Sequence, residues 1–251
     1  MANSYDRAMT KQKTAVVIGV GPIAGLGGAL CKRAGSEDLH VIIAGRTKAK
    51  IDAVAATITQ SGGSASTVVA DTTSETDVAQ LFTKAEQVGP VDLAIYNAGN
   101  NMPGDILDMD ADYFEQAWRI GCFGGFLFAR EALRKMQPRG TGTLLFTGAS
   151  ASLRGKDGFA AFTSAKAGLR TMVQSLAKGY GPKGIHIAQV IIDGGINGDR
   201  LRERIPERMQ ELGEERFVGL EGLAELYLFL YRQPKNAWTH ELDVRTHLEN
   251  F

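Results

Sequence analysis

Cysteine is scarce in this chain of 251 residues, since only Cys31 and Cys122 are present. They form no Cys-x-x-Cys pair, so we expect reduced, structural thiols rather than a disulfide framework. The histidines are also few, at four, and none has a metal-ligand spacing to another histidine, a cysteine or an acid. We therefore expect no metal site.

The chain also lacks an excess of charge of either sign and any long apolar run. Its 28 Lys and Arg residues balance 28 Asp and Glu residues, so no nucleic-acid or membrane partner is expected. No apolar run approaches the roughly 18–20 residues that a membrane span needs. Residues 1–13 are polar and contain no apolar signal core. These patterns, with the reduced thiols, predict a cytoplasmic protein.

Apolar runs and helix-like segments alternate along the whole chain. The runs are continuous rather than alternating with polar residues, which is typical of strands buried on both faces of a parallel sheet. The sequence thus predicts one Rossmann-type domain over residues 1–251, with helices flanking a doubly wound, mostly parallel seven-stranded sheet. The predicted strands cover residues 15–18, 40–44, 67–70, 91–96, 142–147, 186–192 and 242–244. The predicted helices cover residues 26–33, 48–60, 75–88, 112–136, 159–178 and 220–231.

A glycine-rich loop joins the first predicted strand to the first helix. Glycines there allow a tight turn, and they let backbone N–H groups approach a pyrophosphate at the helix N-terminus. The loop predicts a dinucleotide site, with Gly19, Gly21, Gly25 and Leu26 as cofactor-binding residues.

The end of the second strand indicates which dinucleotide binds. A carboxylate about 20 residues past the loop usually holds the ribose of NAD, but Gly45 stands there and Arg46 and Thr47 follow. A guanidinium suits a 2′-phosphate. We therefore expect NADP(H) rather than NAD(H), the alternative being that Arg46 only begins a solvated helix.

Further motifs make the chain resemble the short-chain dehydrogenase/reductase family over nearly its whole length. They are the sequence Asn97-Ala98-Gly99 after the fourth strand, Asp71 after the third, and Lys166 early in a long helix. The resemblance implies that all of these bind the cofactor, together with Gly194 and Ile196 after the sixth strand. It also implies a homodimer or homotetramer.

The chain departs from the family pattern at its catalytic positions. The family's tyrosine falls on Phe162, its serine on Ala149 and its helix asparagine on Gly121. We expect Lys166, and Ser150 next to Ala149, to be the catalytic residues that remain. Ala149, Phe162 and Asp193 are expected to line the substrate pocket.

These departures favour an NADP(H)-dependent reductase for a small substrate that needs little acid catalysis: an imine or iminium, an activated alkene, or a ketone. Asp157, Asp193 and Tyr96 are weaker candidates for a proton source near the predicted rim. Residues 194–215 are a candidate substrate lid, or else a plain surface segment. Two alternatives remain open: a non-redox catalyst such as a cyclase or isomerase, and an NADP(H)-binding pseudoenzyme or scaffold.

Overall fold

A computed structural model describes residues 11–99, 101 and 103–249. The described chain alternates strands and helices from β1 to β7. The strands are β1 (Lys13–Ile18), β2 (Leu39–Gly45), β3 (Ser64–Val69), β4 (Val91–Tyr96), β5 (Thr143–Thr147), β6 (His186–Asp193) and β7 (Glu241–Arg245). The helices are α1 (Leu26–Gly35), α2 (Lys48–Gln60), α3 (Glu75–Val88), α4 (Ala111–Trp118), α5 (Gly124–Met136), α6 (Ala160–Tyr180), α7 (Asp199–Arg204), α8 (Pro206–Leu212) and α9 (Leu220–Tyr231).

The seven strands of the described chain form one parallel sheet in the order β3-β2-β1-β4-β5-β6-β7. The chain winds outward from β1 toward β3, then returns to the centre and winds the other way from β4 to β7. This confirms the predicted doubly wound α/β fold. The winding reverses between β1 and β4, and ligands of such sheets bind beyond the carboxyl ends of the strands at that point.

Each face of the sheet is covered by a layer of helices. Alternate residues of the central strands point to opposite faces, so Val16 and Ile18 of β1 pack under α3, α5 and α6, whereas Ala15 and Val17 pack under α1, α2 and α9. These four residues are 0–1% exposed. Burial on both faces explains why the strand sequences read as continuous apolar runs.

The prediction of one continuous helix over residues 112–136 is wrong, because the segment is interrupted. A π-helical turn, Arg119–Phe123, separates α4 from α5. The carbonyl oxygen of Ile120 accepts a hydrogen bond of 2.5 Å from the Tyr96 hydroxyl. At the same turn Gly121 packs against α6 so closely that a Cβ there would lie 2.7 Å from the Cβ of Ala165. Extra residues of this kind in a helix are often found at functional sites.

None of the helices within residues 11–99, 101 and 103–249 is long and apolar enough to cross a membrane.

Candidate active site

The ends of β1 and β4 meet at the point where the winding of the sheet reverses. Gly19, directly after β1, has a φ of +86°, and a Cβ there would lie 2.4 Å from the backbone nitrogen of Ala98. The side chain of Asn97 donates a 3.2 Å hydrogen bond to the carbonyl oxygen of Gly19. Glycine is therefore required by both conformation and space, and the two strand ends form one rigid floor.

The glycine loop above this floor is open where a pyrophosphate would lie. A Cβ on Gly21 would meet nothing within 4 Å. Helix α1 begins at Leu26 after Gly25, with no side-chain cap and no acid in its first turn. Its first backbone N–H groups and positive dipole end can therefore serve a bound anion.

The end of β2 has no room for the acidic side chain that usually binds the ribose of NAD. A Cβ on Gly45 would lie 2.4 Å from the carbonyl oxygen of Val20, so a carboxylate side chain there would displace the backbone of the glycine loop. Arg46 and Thr47 are both exposed. Thr47 is the N-cap of α2, yet its hydroxyl makes no capping bond, and the Arg46 side chain forms no ion pair within the described chain.

Asp71 lies in the turn after β3. One oxygen of its carboxylate accepts hydrogen bonds of 2.8 Å from both the backbone and the hydroxyl of Thr73. The carboxylate therefore shapes its own turn at the edge of the sheet beyond β2.

Lys166 is the buried cation of the site, with 4% of its surface exposed. Its Nζ donates a 2.7 Å hydrogen bond to the carbonyl oxygen of Thr147 at the end of β5. A Cβ on Gly99 would lie 3.5 Å from that Nζ, so the ammonium faces the loop after β4. Burial lowers the pKa of Lys166 to about 8.

Two further residues hold this arrangement together, and both were missed in the sequence. The hydroxyl of Thr147 donates to the side-chain oxygen of Asn97 at 2.9 Å and shares a 2.7 Å hydrogen bond with the buried hydroxyl of Tyr227. Thr147 at the end of an apolar strand was a usable signal. Nothing in the apolar sequence of α9 indicated that Tyr227 reaches the site.

Phe162 lies one helical turn before Lys166, and the lysine Nζ is 5.8 Å from the centre of its ring. An aromatic face can stabilise such a cation, but the ring carries no proton to transfer. Ala149 lies two residues beyond the end of β5, directly before the turn Ser150–Ser152. The side chains of Phe162 and Ala149 therefore supply no hydrogen-bond donor to a substrate.

The side chain of Ser150 hydrogen-bonds to Asp193, and Asp193 also pairs with two arginines. Asp193 is 3% exposed. It accepts hydrogen bonds from Arg154 at 2.9 and 3.0 Å and lies 3.2 Å from Nη1 of Arg245. Burial raises the pKa of Asp193, but the hydrogen bonds from Ser150 and Arg154 and the arginine charges outweigh it, and the net pKa is lowered. Asp193 is therefore a paired carboxylate rather than a proton source.

Of the other two weak candidates for a proton source, only Tyr96 differs from expectation. Tyr96 does not lie at a rim: it is fully buried, and its hydroxyl contacts Thr72 and Ile120. Burial raises the pKa of Tyr96 above its ordinary value. Asp157 is exposed on the loop before α6.

The segment predicted as a lid forms α7 and α8 and lies over both cofactor loops. The backbone nitrogen of Asp199 donates to the carbonyl oxygen of Ala24 in the glycine loop at 2.8 Å. Arg200 donates to the carbonyl oxygen of Gly99 at 3.2 Å. Before α7, Gly194 is exposed, and Ile196 forms a bridge with Val218. The segment 194–215 therefore spans the crevice between the two strand ends.

A glycine loop, a winding reversal and a buried lysine at one sheet edge define a Rossmann-type dinucleotide-binding protein. A profile of the short chain dehydrogenases matches residues 13–208. A relative, versicolorin reductase 1 of Dothistroma septosporum, is 30% identical over 209 residues, 81% of this chain and 78% of that protein.

Solved structures show the same relationship. A crystal structure of a short-chain dehydrogenase from Rhodopseudomonas palustris superposes with a TM-score of 0.81 at 33% identity, over 94% of this chain and 99% of that one. A variant of the actinorhodin polyketide ketoreductase, solved with NADPH, gives 0.86 at 21% identity, over 96% and 98% of the two chains, a likeness of fold alone. The chain belongs to the short-chain dehydrogenase/reductase family, whose members bind a nicotinamide cofactor, and it is an oxidoreductase of that type.

Proposed function

We propose that the protein is an NADP(H)-dependent reductase that transfers hydride to a small organic substrate without a tyrosine acid. The observation that carries the proposal is the buried Lys166, held by the Thr147 carbonyl beside Gly99 and the Phe162 ring. A lysine buried without a carboxylate partner is energetically unfavourable, and positions kept at such a cost are typical of functional sites.

The residues present fit a bound dinucleotide. Gly19, Gly21, Gly25 and Leu26 would hold the pyrophosphate, because the loop is open and the N-terminus of α1 is uncapped. Asn97, Ala98 and Gly99 would border the nicotinamide half, and Gly194 and Ile196 would close it from the other side. Asp71 would lie near the adenine.

The 2′-phosphate of NADP would be bound at the end of β2. Arg46 is exposed and unpaired within the described chain, and its guanidinium can donate two hydrogen bonds to a phosphate. Thr47 has a hydroxyl that its own helix does not use. The blocked space at Gly45 argues against NAD(H), because an acid there would strike the Val20 carbonyl.

The chemistry follows from what the pocket lacks. When bound, NADPH supplies a hydride. Addition of hydride to an iminium carbon gives a neutral amine, so that step needs no proton donor. A ketone develops an alkoxide instead, which must be protonated or stabilised. Because the side chains of Ala149 and Phe162 supply no proton donor, the pocket favours an iminium or an activated alkene over an unactivated ketone.

The cofactor assignment is tested by titrating the purified protein with NADPH and NADH, while energy transfer from Trp118 and Trp238 is followed. We expect NADPH to bind at least about tenfold more tightly than NADH, as the loss of one or two charge-assisted hydrogen bonds predicts. The variant Arg46→Gln should lose that preference. The control is Lys50→Gln, which removes an exposed cation from α2 nearby.

Two results would contradict the proposal. If neither cofactor binds, the protein is not a nicotinamide-dependent reductase. If Arg46→Gln keeps the full preference for NADPH, Arg46 does not read the phosphate.

A further inference from the structure

Arg154 lies in the loop between β5 and α6, four residues beyond Ser150. Its Nη2 donates to both carboxylate oxygens of Asp193, at 2.9 and 3.0 Å. The carboxylate is buried and also contacts Arg245, so Arg154 is not the only cation that neutralises it. The side chain of Arg154 is still 49% exposed. A fixed, buried anion therefore holds an outward-facing guanidinium in place.

Most of the hydrogen-bonding capacity of this guanidinium is unused. Arginine has five N–H donors, and within the described residues only Nη2 of Arg154 has a protein partner. The three donors on Nε and Nη1 are left for water or a ligand. A guanidinium whose orientation is already fixed binds a carboxylate with a smaller entropy loss than a freely moving one.

Arg154 lies where a substrate can contact it. Asp193 ends β6 and the Arg154 loop follows β5, so the pair lies at the carboxyl edge of the sheet, where ligands of this fold bind. The turn before Arg154 starts at Ala149 and packs on α6, which carries Phe162. Since the side chains of Ala149 and Phe162 give the reacting atom no hydrogen bond, contacts to other groups of the substrate gain importance for its orientation.

We propose that Arg154, held by Asp193, binds a carboxylate on the substrate, so that the substrate class is an organic acid whose C=N or C=O group is reduced. This inference rests on the proposed reductase function and narrows it to anionic substrates. The group acts by binding and takes no part in the transfer of hydride or proton.

The test compares pairs of compounds in which only one member carries a carboxylate, bonded in both acids to the carbon that would accept the hydride. One pair is 1-pyrroline-2-carboxylate and 2-methyl-1-pyrroline, and the other is 2-oxo-4-phenylbutyrate and its ethyl ester. For each compound, kcat/KM is measured from NADPH consumption, and Kd is measured by tryptophan fluorescence with NADP+ bound. The Kd measurement does not depend on turnover.

Three variants separate the role of Arg154 from general effects of losing an arginine. Arg154→Gln removes the charge, and Arg154→Lys keeps it without the planar fork. Arg134→Gln is the matched control, because Arg134 is also largely exposed, at 60%, and pairs with one buried carboxylate, Glu131. If Arg154→Gln does not fold, Arg154→Lys supplies the same comparison with a smaller expected effect.

We expect the wild type to bind each acid at least about tenfold more tightly than the partner that lacks the carboxylate, as one charge-assisted contact allows. Arg154→Gln should abolish this ratio, Arg154→Lys should keep part of it, and Arg134→Gln should leave it unchanged. The proposal is overturned if the wild type shows no preference for the acids, binds none of the four compounds, or keeps its preference in Arg154→Gln.

Failure of the reductase function would look different. In that case the acids bind through Arg154, with the ratio lost in Arg154→Gln, but NADPH is not consumed with any compound. The anion site would then stand while the proposed reaction would be wrong.

Discussion

Replacing Phe162 with tyrosine should enable the protein to reduce ordinary ketones. The Nζ of Lys166 is 5.8 Å from the centre of the Phe162 ring. A tyrosine hydroxyl at this position would lie beside a buried cation, which lowers the pKa of a phenol. A positioned general acid contributes about 10²–10⁴-fold. The family's asparagine cannot be restored as well, because a Cβ on Gly121 would lie 2.7 Å from that of Ala165.

We therefore expect the lower end of that range. Phe162→Tyr combined with Ala149→Ser should raise kcat/KM for an unactivated ketone such as cyclohexanone about 100-fold, or about 2.7 kcal/mol of transition-state stabilisation. The rate with a cyclic iminium substrate should change little, because that reaction needs no acid. NADPH oxidation with both compounds, measured across pH, makes the comparison. The new ketone activity should fall at high pH, where the phenol is ionised.

The control is Phe159→Tyr, in which a phenylalanine just before α6 also lies near a lysine, at 5.2 Å from Nζ of Lys156, one turn before the Phe162 position. It should leave ketone reduction unchanged. A double variant that folds and binds NADPH normally but gains no ketone activity would refute the reasoning that Phe162 occupies the position of the acid. An equal gain in Phe159→Tyr would refute it as well.

Three further predictions concern the floor of the site. Gly19→Ala should lower the free energy of unfolding by more than Gly62→Ala. Both glycines have positive φ, but only at Gly19 would the new Cβ clash with backbone, at 2.4 Å. Equal midpoints of urea unfolding for the two variants would contradict this. The affinity for NADPH should fall as pH rises through about 8, where Lys166 loses its charge. The variant Lys166→Arg should bind NADPH without that pH dependence. If the pH profile of Lys166→Arg equals that of the wild type, another group titrates. Tyr227→Phe should cost about 1 kcal/mol in thermal or urea unfolding, since it removes a buried hydrogen bond, and no change in stability would mean that this bond contributes nothing.

The fold was predictable because its signals are local and repeated. Continuous apolar runs such as β4 and helical spacing such as that of α3 are present in the sequence itself, and the connection rules then leave few topologies. The π turn at Arg119–Phe123 was not predictable. Helical periodicity continues on both sides of it, and the close packing of Gly121 within it involves α6, which is distant in the sequence.

The candidate site shows the same division between local and long-range information. The glycine loop, Asn97 and Lys166 follow from motifs that lie at known places between strand and helix. The ion pairs of Asp193 did not, because Arg154 and Arg245 come from different loops and strands and meet it only through the order of β5, β6 and β7. A sequence pattern cannot distinguish an open carboxylate at a strand end from one that is already neutralised.

The most direct test of a tyrosine-independent reductase is the fate of the transferred hydride. The wild-type protein is incubated with NADPH deuterated at both C4 positions of the nicotinamide and with 1-pyrroline-2-carboxylate and 2-methyl-1-pyrroline, and the products are analysed by mass spectrometry. We expect one deuterium in the amine for each NADPH oxidised. Tight binding of NADPH with no deuterium in any product, across these imines and an activated alkene, would contradict the reductase function and leave a binding or non-redox role for this fold.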